Sequence, residues 1–312
     1  MHILVTGATG NIGQSAVRVL VERGHQVRAL IWTDHRPLTS VFKHSNIELF
    51  PGDIRDAKRM DEAVIDQEAI VHLAYIIPPL SNEKPELATS VNLDGTRNIL
   101  NAALKQSLRP RFLFASTFDL FGHTMHLPPP RRLSDPIQTT DLYTEHKKLG
   151  EQWVTESGLK WCIFRFADVP IMGFRPPHPI MYEIPLNQRF EVLHTLDAGL
   201  AIANALECEA AWERTWLLGG GEKCQITYEQ FLFGMFSVMG LGRLPARAFT
   251  TQPYVSDWLD TTDSEALLHY QRHSFADILQ EIEKHSRVQR HLIPIVRPLV
   301  HRFLLRLSPY LD

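Results

Sequence analysis

The chain reads as an α/β protein, a doubly wound parallel sheet with a smaller, mostly helical C-terminal substrate lobe. Short apolar runs alternate with amphipathic stretches as far as Leu218. The first run passes into a helical pattern through a string of glycines, and beyond Gly219 the alternation gives way to helical patterns. Strand and helix in strict alternation predict parallel strands joined by crossover helices that cover both faces of one sheet.

The apolar run Ile3-Leu4-Val5 places the first strand at 2–5, and Ile12, Ala16, Val19 and Leu20 share one face of a helix over 14–23. Further strands are expected at 26–31, 47–50, 69–73, 111–115, 161–166 and 215–218, with helices near 57–64, 90–106, 143–157 and 198–207. Segments 123–141 and 170–185 are rich in Pro, His and Arg, which suits loops or a lid over a site. Helices around 228–239 and 274–285 dominate the C-terminal part. The expected organisation is a dinucleotide-binding domain over 1–169 with 190–219 returning to it, a substrate lobe from 170–189 and 220–286, and a basic amphipathic tail over 287–312. That tail sets five arginines among Leu292, Ile293, Val296, Leu299, Val300, Phe303, Leu304 and Leu307 despite Pro294 and Pro298. Such a helix can pack on its own body, on a second subunit, or on an anionic membrane surface.

With 312 residues, 44% hydrophobic, 21% charged and a net charge of −3, the chain has an ordinary globular composition. The charges are mixed, so no nucleic-acid footprint appears. Cys162, Cys208 and Cys224 are odd in number and widely spaced, and read as reduced packing thiols of an intracellular, cytoplasmic protein. The start MHILVTG runs directly into a strand without the pattern of a signal peptide. No apolar run reaches the roughly 20 residues that span a bilayer.

The glycine string is Gly7-Ala8-Thr9-Gly10-Asn11-Ile12-Gly13, spaced G-x-x-G-x-x-G between a strand and a helix. Glycines there let the backbone approach a pyrophosphate, while the helix start offers unpaired N–H groups and the positive end of its dipole. Parallel sheets bind ligands beyond the carboxyl ends of their strands. At those ends stand Gly52-Asp53-Ile54-Arg55-Asp56, His72-Leu73-Ala74-Tyr75 and Ala115-Ser116-Thr117. Tyr143 alone among the tyrosines has a lysine four residues on, Lys147, which puts phenol and ammonium on one helix face.

At these residues the chain resembles the extended short-chain dehydrogenase/reductase superfamily, in particular its NAD-dependent epimerase/dehydratase-like family with a Rossmann sheet. The matching pieces are TGATGNIG at 6–13, GDIRD at 52–56, HLAY at 72–75, VNLDGTRNIL at 91–100, ASTFDLFG at 115–122, YTEHK at 143–147, FRF at 164–166 and HTLDAGLA at 194–201. The resemblance implies that Gly7, Gly10 and Gly13 hold the pyrophosphate, with Asn11 and Ile12 lining the turn and Thr9 among the cofactor residues, that Asp53 and Ile54 contact the adenine, with Asp53 accepting from its amino group, and that Leu73 and Ala74 pass under the adenosine ribose. Phe166 joins the cofactor residues. Thr117, Tyr143 and Lys147 match the catalytic hydroxyl, acid/base tyrosine and lysine, and Asn92 matches the helix asparagine that organises the site. A homodimer built from two helices per subunit is also implied.

A free phenol, with a pKa near 10, is a poor base at neutral pH, and a neighbouring ammonium together with an oxidised nicotinamide would favour the phenolate. Tyr143 can then take a proton from an alcohol while its carbon gives up hydride, or supply one to a carbonyl in reverse. Lys147 would hold the nicotinamide ribose, and Thr117 would donate to the substrate oxygen. For the cofactor, an acid is expected about 20 residues past the glycines. Ile31 occupies that place, followed by Trp32 and Thr33; Asp34 would repel a 2′-phosphate and Arg36 would meet one. NADP and NAD both stay open, with the balance to NADP.

Phe118 cannot transfer a proton, so the Phe118-Asp119 pair after Thr117 disfavours dehydration, and Phe121 and Asp168 depart from the family's nucleotide-sugar pattern. A smaller carbonyl or alcohol substrate is preferred, with Phe118, Asp119 and Asp168 facing it. The expected activity is an NAD(P)-dependent oxidoreductase acting on a secondary alcohol/carbonyl pair; an epimerase working through a transient ketone and a non-enzymatic dinucleotide sensor are the alternatives. The fifteen histidines, His123, His126 and His178 included, lack metal-ligand spacing, so no metal is expected. Asp197 reads as a cap or anchor of the helix that follows it, and Gly219-Gly220-Gly221 as a turn between lobes.

Overall fold

The computed structural model describes residues 1–32, 40–173 and 176–311, apart from the side chains of residues 287–289. In chain order the elements are β1 (His2–Thr6), α1 (Asn11–Glu22), β2 (Gln26–Ile31), β3 (Ile47–Pro51), α2 (Ala57–Ala63), β4 (Ala69–His72), the short α3 (Leu80–Glu83) and α4 (Pro85–Thr89), and then α5 (Gly95–Leu104), entered through a π-helical turn over Ser90–Asp94. They continue with β5 (Arg111–Thr117), α6 (Leu142–Glu156), β6 (Trp161–Phe166), β7 (Arg189–Glu191), α7 (Thr195–Glu207), β8 (Arg214–Leu218), β9 (Gln225–Thr227), α8 (Tyr228–Val238), α9 (Thr262–Leu268), α10 (Phe275–His285) and α11 (Arg287–Leu305).

Seven strands form one sheet in the order β3-β2-β1-β4-β5-β6-β8, and every pairing is parallel. Its order reverses between β1 and β4, where a doubly wound sheet opens a crevice at its carboxyl edge. The period of two shows in β1. Ile3 and Val5 join Ala16, Val17 and Leu20 of α1 and Ala198, Ala201 and Ile202 of α7 in one core, while Leu4 joins Met60 of α2, Ile99 of α5 and Val154 of α6 in the other. The two helices of the first face approach closely because Gly199 lies against α1: a Cβ there would stand 2.7 Å from the carbonyl of Ser15.

All seven expected strands form. β7 and β9, three residues each, pair antiparallel as a separate ribbon and escaped the sequence reading, since three residues carry no measurable period. The first helix begins at Asn11, directly from Gly10, rather than at residue 14. A third apolar core gathers Met172, Tyr182, Phe190, Phe231, Phe236, Phe249, Ile278 and Leu304, with Ile293, Val300, Leu307 and Leu311 packed against it. The C-terminal helix thus rests on the lobe by one face, and the Tyr182 hydroxyl donates to the carbonyl of Leu304 at 2.6 Å.

Segment 123–141 is pinned rather than loose. The Arg131 amide donates to the carbonyl of Trp258 (2.7 Å), and the buried Asp257 carboxylate accepts from Arg189 Nε (2.5 Å), Arg189 Nη2 (2.9 Å) and Thr124 Oγ1 (2.7 Å), with Arg131 Nε at 3.2 Å. Among the described residues no helix is long and apolar enough to cross a membrane.

Candidate active site

The glycine turn is shaped by three close approaches. Gly7 adopts φ +67°, and a Cβ on it would lie 2.7 Å from the amide nitrogen of Ala74; a Cβ on Gly13 would lie 2.1 Å from the carbonyl oxygen of Gly7, and one on Gly10 3.1 Å from the same atom. The helix that follows has neither a side-chain cap nor an acid in its first turn, so its leading N–H groups and dipole face outward uncompensated. A cradle that any Cβ would fill, ending in an uncapped helix start, fits a pyrophosphate. Asn11 spans the crevice, its Nδ2 donating to the carbonyls of Val169 (2.8 Å) and Pro170 (3.2 Å). The Thr9 carbonyl accepts from Gln14 Nε2 at 3.0 Å, and Ile12 packs on the first core.

Leu73 and Ala74 lie on Gly7, their amides both 3.2 Å from Thr6 Oγ1. The strand register sets Thr6 opposite His72, and a polar chain continues behind them: Thr6 Oγ1 to His72 Nδ1 (2.7 Å), His72 Nε2 to Thr96 Oγ1 (3.0 Å), and Thr96 Oγ1 to the carbonyl of Asn92 (2.5 Å). Thr96 must donate to that carbonyl, so it accepts from His72, whose proton therefore sits on Nε2 and whose Nδ1 accepts from Thr6. Burial, and then the nearby Lys147 cation, push the imidazole down to about 3. Asn92 is wholly buried in the π-helical turn. Its Oδ1 accepts from the Ile76 amide (2.7 Å) and its Nδ2 donates to the Ile76 carbonyl (2.9 Å), with His146 Nδ1 at 3.3 Å. Both faces of that amide are spent on the backbone, so Asn92 holds the segment after β4 in place.

Just beyond the carboxyl end of β3 the Asp53 carboxylate is already engaged. Arg55 grips it through Nε (3.0 Å) and Nη2 (2.6 Å), and the same guanidinium lies 5.0 Å over the ring of Trp32, which is 45% exposed. Arg55 was absent from the expected set, although it stands within the quoted GDIRD. The Ile54 side chain is buried under Gly95 of α5. Phe166 packs edge-to-face on Phe164 in the core at 5.7 Å. Arg36, with Thr33 and Asp34, lies outside the described residues.

Thr117 ends β5, Tyr143 opens α6, and Lys147 follows one turn later. Asp141 caps α6, accepting from the Thr144 amide at 2.8 Å, and so fixes where the helix presents Tyr143. The Thr117 hydroxyl accepts from the Asp119 amide at 3.2 Å and is near enough to the Tyr143 phenol and the Asp119 carboxyl to pull both downward. Lys147 Nζ donates to the carbonyl of Ala115 (2.5 Å) and sits 3.4 Å over the ring of Tyr75, against 5.8 Å from the ring of Tyr143. Tyr75 in turn meets Tyr143 edge-on at 6.2 Å, and its buried hydroxyl has no hydrogen-bond partner among the described residues.

Burial raises the Tyr143 phenol well above its ordinary value, with Asp119 and Asp141 pushing the same way and the Thr117 hydrogen bond opposing. The ammonium is directed under Tyr75 and onto Ala115. Burial lowers Lys147 itself to about 7, against the pull of Glu151 and Asp119, and raises Asp119 to about 7. Glu151, one further turn along α6, is held by Arg165 Nε (2.9 Å) and Nη2 (2.7 Å) and by Ser116 Oγ (2.6 Å), all buried. The i, i+4, i+8 spacing of Tyr143, Lys147 and Glu151 was the signal that could have found it. Of the expected substrate residues, Phe118 packs inward with Phe121, Ala167, Leu217 and Leu259. The charges of Asp119 and Asp168 both act on Tyr254, which also adds to the field at Tyr143.

The family model of the NAD dependent epimerase/dehydratase family matches residues 3–171, which include the glycine turn, Thr117, Tyr143 and Lys147. The chain belongs to this family. It is 31% identical over 174 residues to a 3-beta-hydroxysteroid dehydrogenase of Mycolicibacterium neoaurum (53% of this chain, 46% of that one), and 32% over 208 residues to a 3 beta-hydroxysteroid dehydrogenase/Delta 5→4-isomerase of Mycobacterium tuberculosis (62% and 53%). The chain thus spans about half the length of these relatives. Among solved structures it is similar to a UDP-glucose 4-epimerase of Thermotoga maritima with UDP-glucose (TM-score 0.77, 20% identity, 92% of this chain and 99% of that one). It is also similar to a short-chain dehydrogenase/reductase superfamily protein of Agrobacterium tumefaciens with bound NAD (TM-score 0.74, 19% identity, 95% and 100%). These neighbours share the extended short-chain dehydrogenase/reductase fold; several solved structures of this likeness, the Agrobacterium protein among them, are described with NAD, which leaves the lean to NADP unsupported.

Away from this site, His194, Asp197 and His273 cluster closely enough to suggest a metal. The two imidazoles stack face to face at 4.0 Å and 16°, so their in-plane lone pairs do not converge on one ion. His194 caps α7 through Nδ1, and Asp197 accepts from the amides of Arg272 (3.0 Å) and His273 (2.9 Å) and lies 2.6 Å from His273 Nδ1. Asp197 therefore ties the 272–273 segment to α7 and leaves the capping to His194. In the Gly219-Gly220-Gly221 turn, a Cβ on Gly219 would lie 2.0 Å from Glu191 Oε1 and one on Gly220 2.4 Å from the Val192 carbonyl, so close packing accounts for the glycines.

Proposed function

We propose that this family member is an NAD(P)-dependent oxidoreductase interconverting an uncharged secondary alcohol and its ketone, with Tyr143 as acid/base. The observation that carries the proposal is the convergence of Thr117, Tyr143 and Lys147 at the carboxyl end of β5, with β4 alone between it and the strand that carries the glycine cradle. A nicotinamide dinucleotide, NAD in the structural neighbours and NADP on the reading of Arg36, would supply or accept the hydride. Gly7, Gly10 and Gly13 would admit its pyrophosphate, and Trp32 with the Asp53–Arg55 pair would flank its adenine. Lys147 would turn its ammonium toward ribose hydroxyls.

Tyr143 is a neutral phenol at neutral pH in this arrangement, poised to donate a proton to a substrate oxygen, and Thr117 offers that oxygen a second hydrogen bond. In the opposite direction Tyr143 takes the alcohol proton only as its phenolate, so alcohol oxidation calls for a positive charge close to the ring. Asp119, Asp141 and Asp168 load this end of the crevice with acid and disfavour an anionic reacting group. The hydroxysteroid dehydrogenases among the relatives make a 3β-hydroxysteroid the first substrate to test.

A second reading, epimerisation through a transient ketone, is favoured by the fold likeness to UDP-glucose 4-epimerases. Incubation with NAD⁺ or NADP⁺ and either a 3β-hydroxysteroid or UDP-glucose separates the two. Net reduced cofactor with the steroid supports the oxidoreductase. Inversion of the sugar without net reduced cofactor replaces it with the epimerase.

A further inference from the structure

We infer that α11 is a surface-docking helix whose outer face lies on an anionic lipid bilayer. Its nineteen residues span about 28 Å. Ile293, Val300 and Leu304 turn inward onto the lobe core. A second apolar row, Leu292, Ile295, Val296, Leu299 and Phe303, recurs at three- and four-residue steps on another face and is open to solvent, with Ile295 77% and Leu299 69% exposed. Arg302 and Arg306 extend the row begun by Ile295 and Leu299, and both are exposed. No acidic residue occurs from 286 to 311, in a chain whose overall charge is −3. Arg290 is neutralised by Glu283 and Arg297 turns toward Gly242 of the lobe, whereas Arg302 and Arg306 on the outer face have no carboxylate partner among the described residues.

Charge decides the occupant. In a symmetric contact with a second copy each outer face meets itself, and that face offers its arginines no acid. An anionic bilayer satisfies the arginines and the apolar row together. A helix of this length and charge lies on such a surface and does not span it. Its inner face, already packed on the lobe, would hold the whole protein in one orientation.

The test is sedimentation of the full chain with vesicles of phosphatidylcholine plus phosphatidylserine and with phosphatidylcholine alone, at low and high salt. The expected result is binding only to the anionic vesicles, weakened by salt, and reduced roughly thirtyfold by Arg302→Gln/Arg306→Gln. Leu292→Ser/Leu299→Ser should abolish binding with the melting temperature unchanged, because both side chains face solvent. Equal partition onto the two vesicle types overturns the inference. So does absence of binding, including the case in which light scattering shows a dimer that Leu299→Asp dissociates.

Discussion

Tyr75 joins the sheet to the proposed reacting groups, Tyr143 and Lys147, and replacing it with leucine tests whether that link matters. Its ring carries the Lys147 ammonium at 3.4 Å, away from bulk solvent, and braces the Tyr143 ring edge-on at 6.2 Å. A desolvated cation–π contact contributes about 2 kcal/mol and an edge-to-face aromatic pair about 1 kcal/mol beyond area burial. Tyr75→Leu therefore forfeits about 3 kcal/mol of positioning, which corresponds to a loss on the order of a hundredfold in kcat if the reacting geometry depends on it. Loss of the ring also removes a stabiliser of the ammonium, so the ionisation of Lys147 near 7 moves to lower pH. Tyr75→Phe keeps the ring and deletes only a hydroxyl that has no partner, so it should stay within about threefold of the parent. Steady-state rates across pH, with circular dichroism as the folding control, read all of this. A leucine variant with parental kcat and pH profile would refute the positioning role, as would a phenylalanine variant equal to the leucine one.

Other expectations follow from the buried charges. Asp257→Ala leaves Arg189 and Arg131 without their shared carboxylate and should cost about 3–5 kcal/mol in urea unfolding. His72 stays neutral in the fold, pushed down to about 3, whereas the unfolded chain takes up the proton near 6.5. Stability is intact above pH 6.5 and falls as pH drops toward 3, by about 3 kcal/mol between pH 7 and 4.5; His72→Gln should flatten that dependence in urea titrations. Asp119→Asn removes a charge that holds the Tyr143 phenol up, so the pH–rate profile for alcohol oxidation should shift toward acid; an unmoved profile would count against a shared field.

The parallel sheet was legible because fully buried strands are written as continuous apolar runs, and the run from Ile3 to Val5 serves both faces of β1 at once. The site was legible wherever spacing carries geometry, as with the glycines and the Tyr143–Lys147 turn. What the spacing could not carry is direction. Lys147 and Tyr143 share a helix face, yet the ammonium reaches to Ala115 and Tyr75, and the phenol is raised by burial and nearby acids. Tyr75 and Arg55 were visible as letters in matching motifs, but their roles depend on partners brought from other elements, Lys147 and Trp32. The outward row on α11 was equally unreadable, since only packing shows which of its two apolar faces the lobe covers.

Single-turnover kinetics of Tyr143→Phe with saturating dinucleotide test the central claim most directly. If Tyr143 transfers the proton, the chemical step falls by about 10²–10⁴ while dinucleotide affinity is kept, since the ring remains against Tyr75. A phenylalanine variant that turns over at the parental rate would contradict the account.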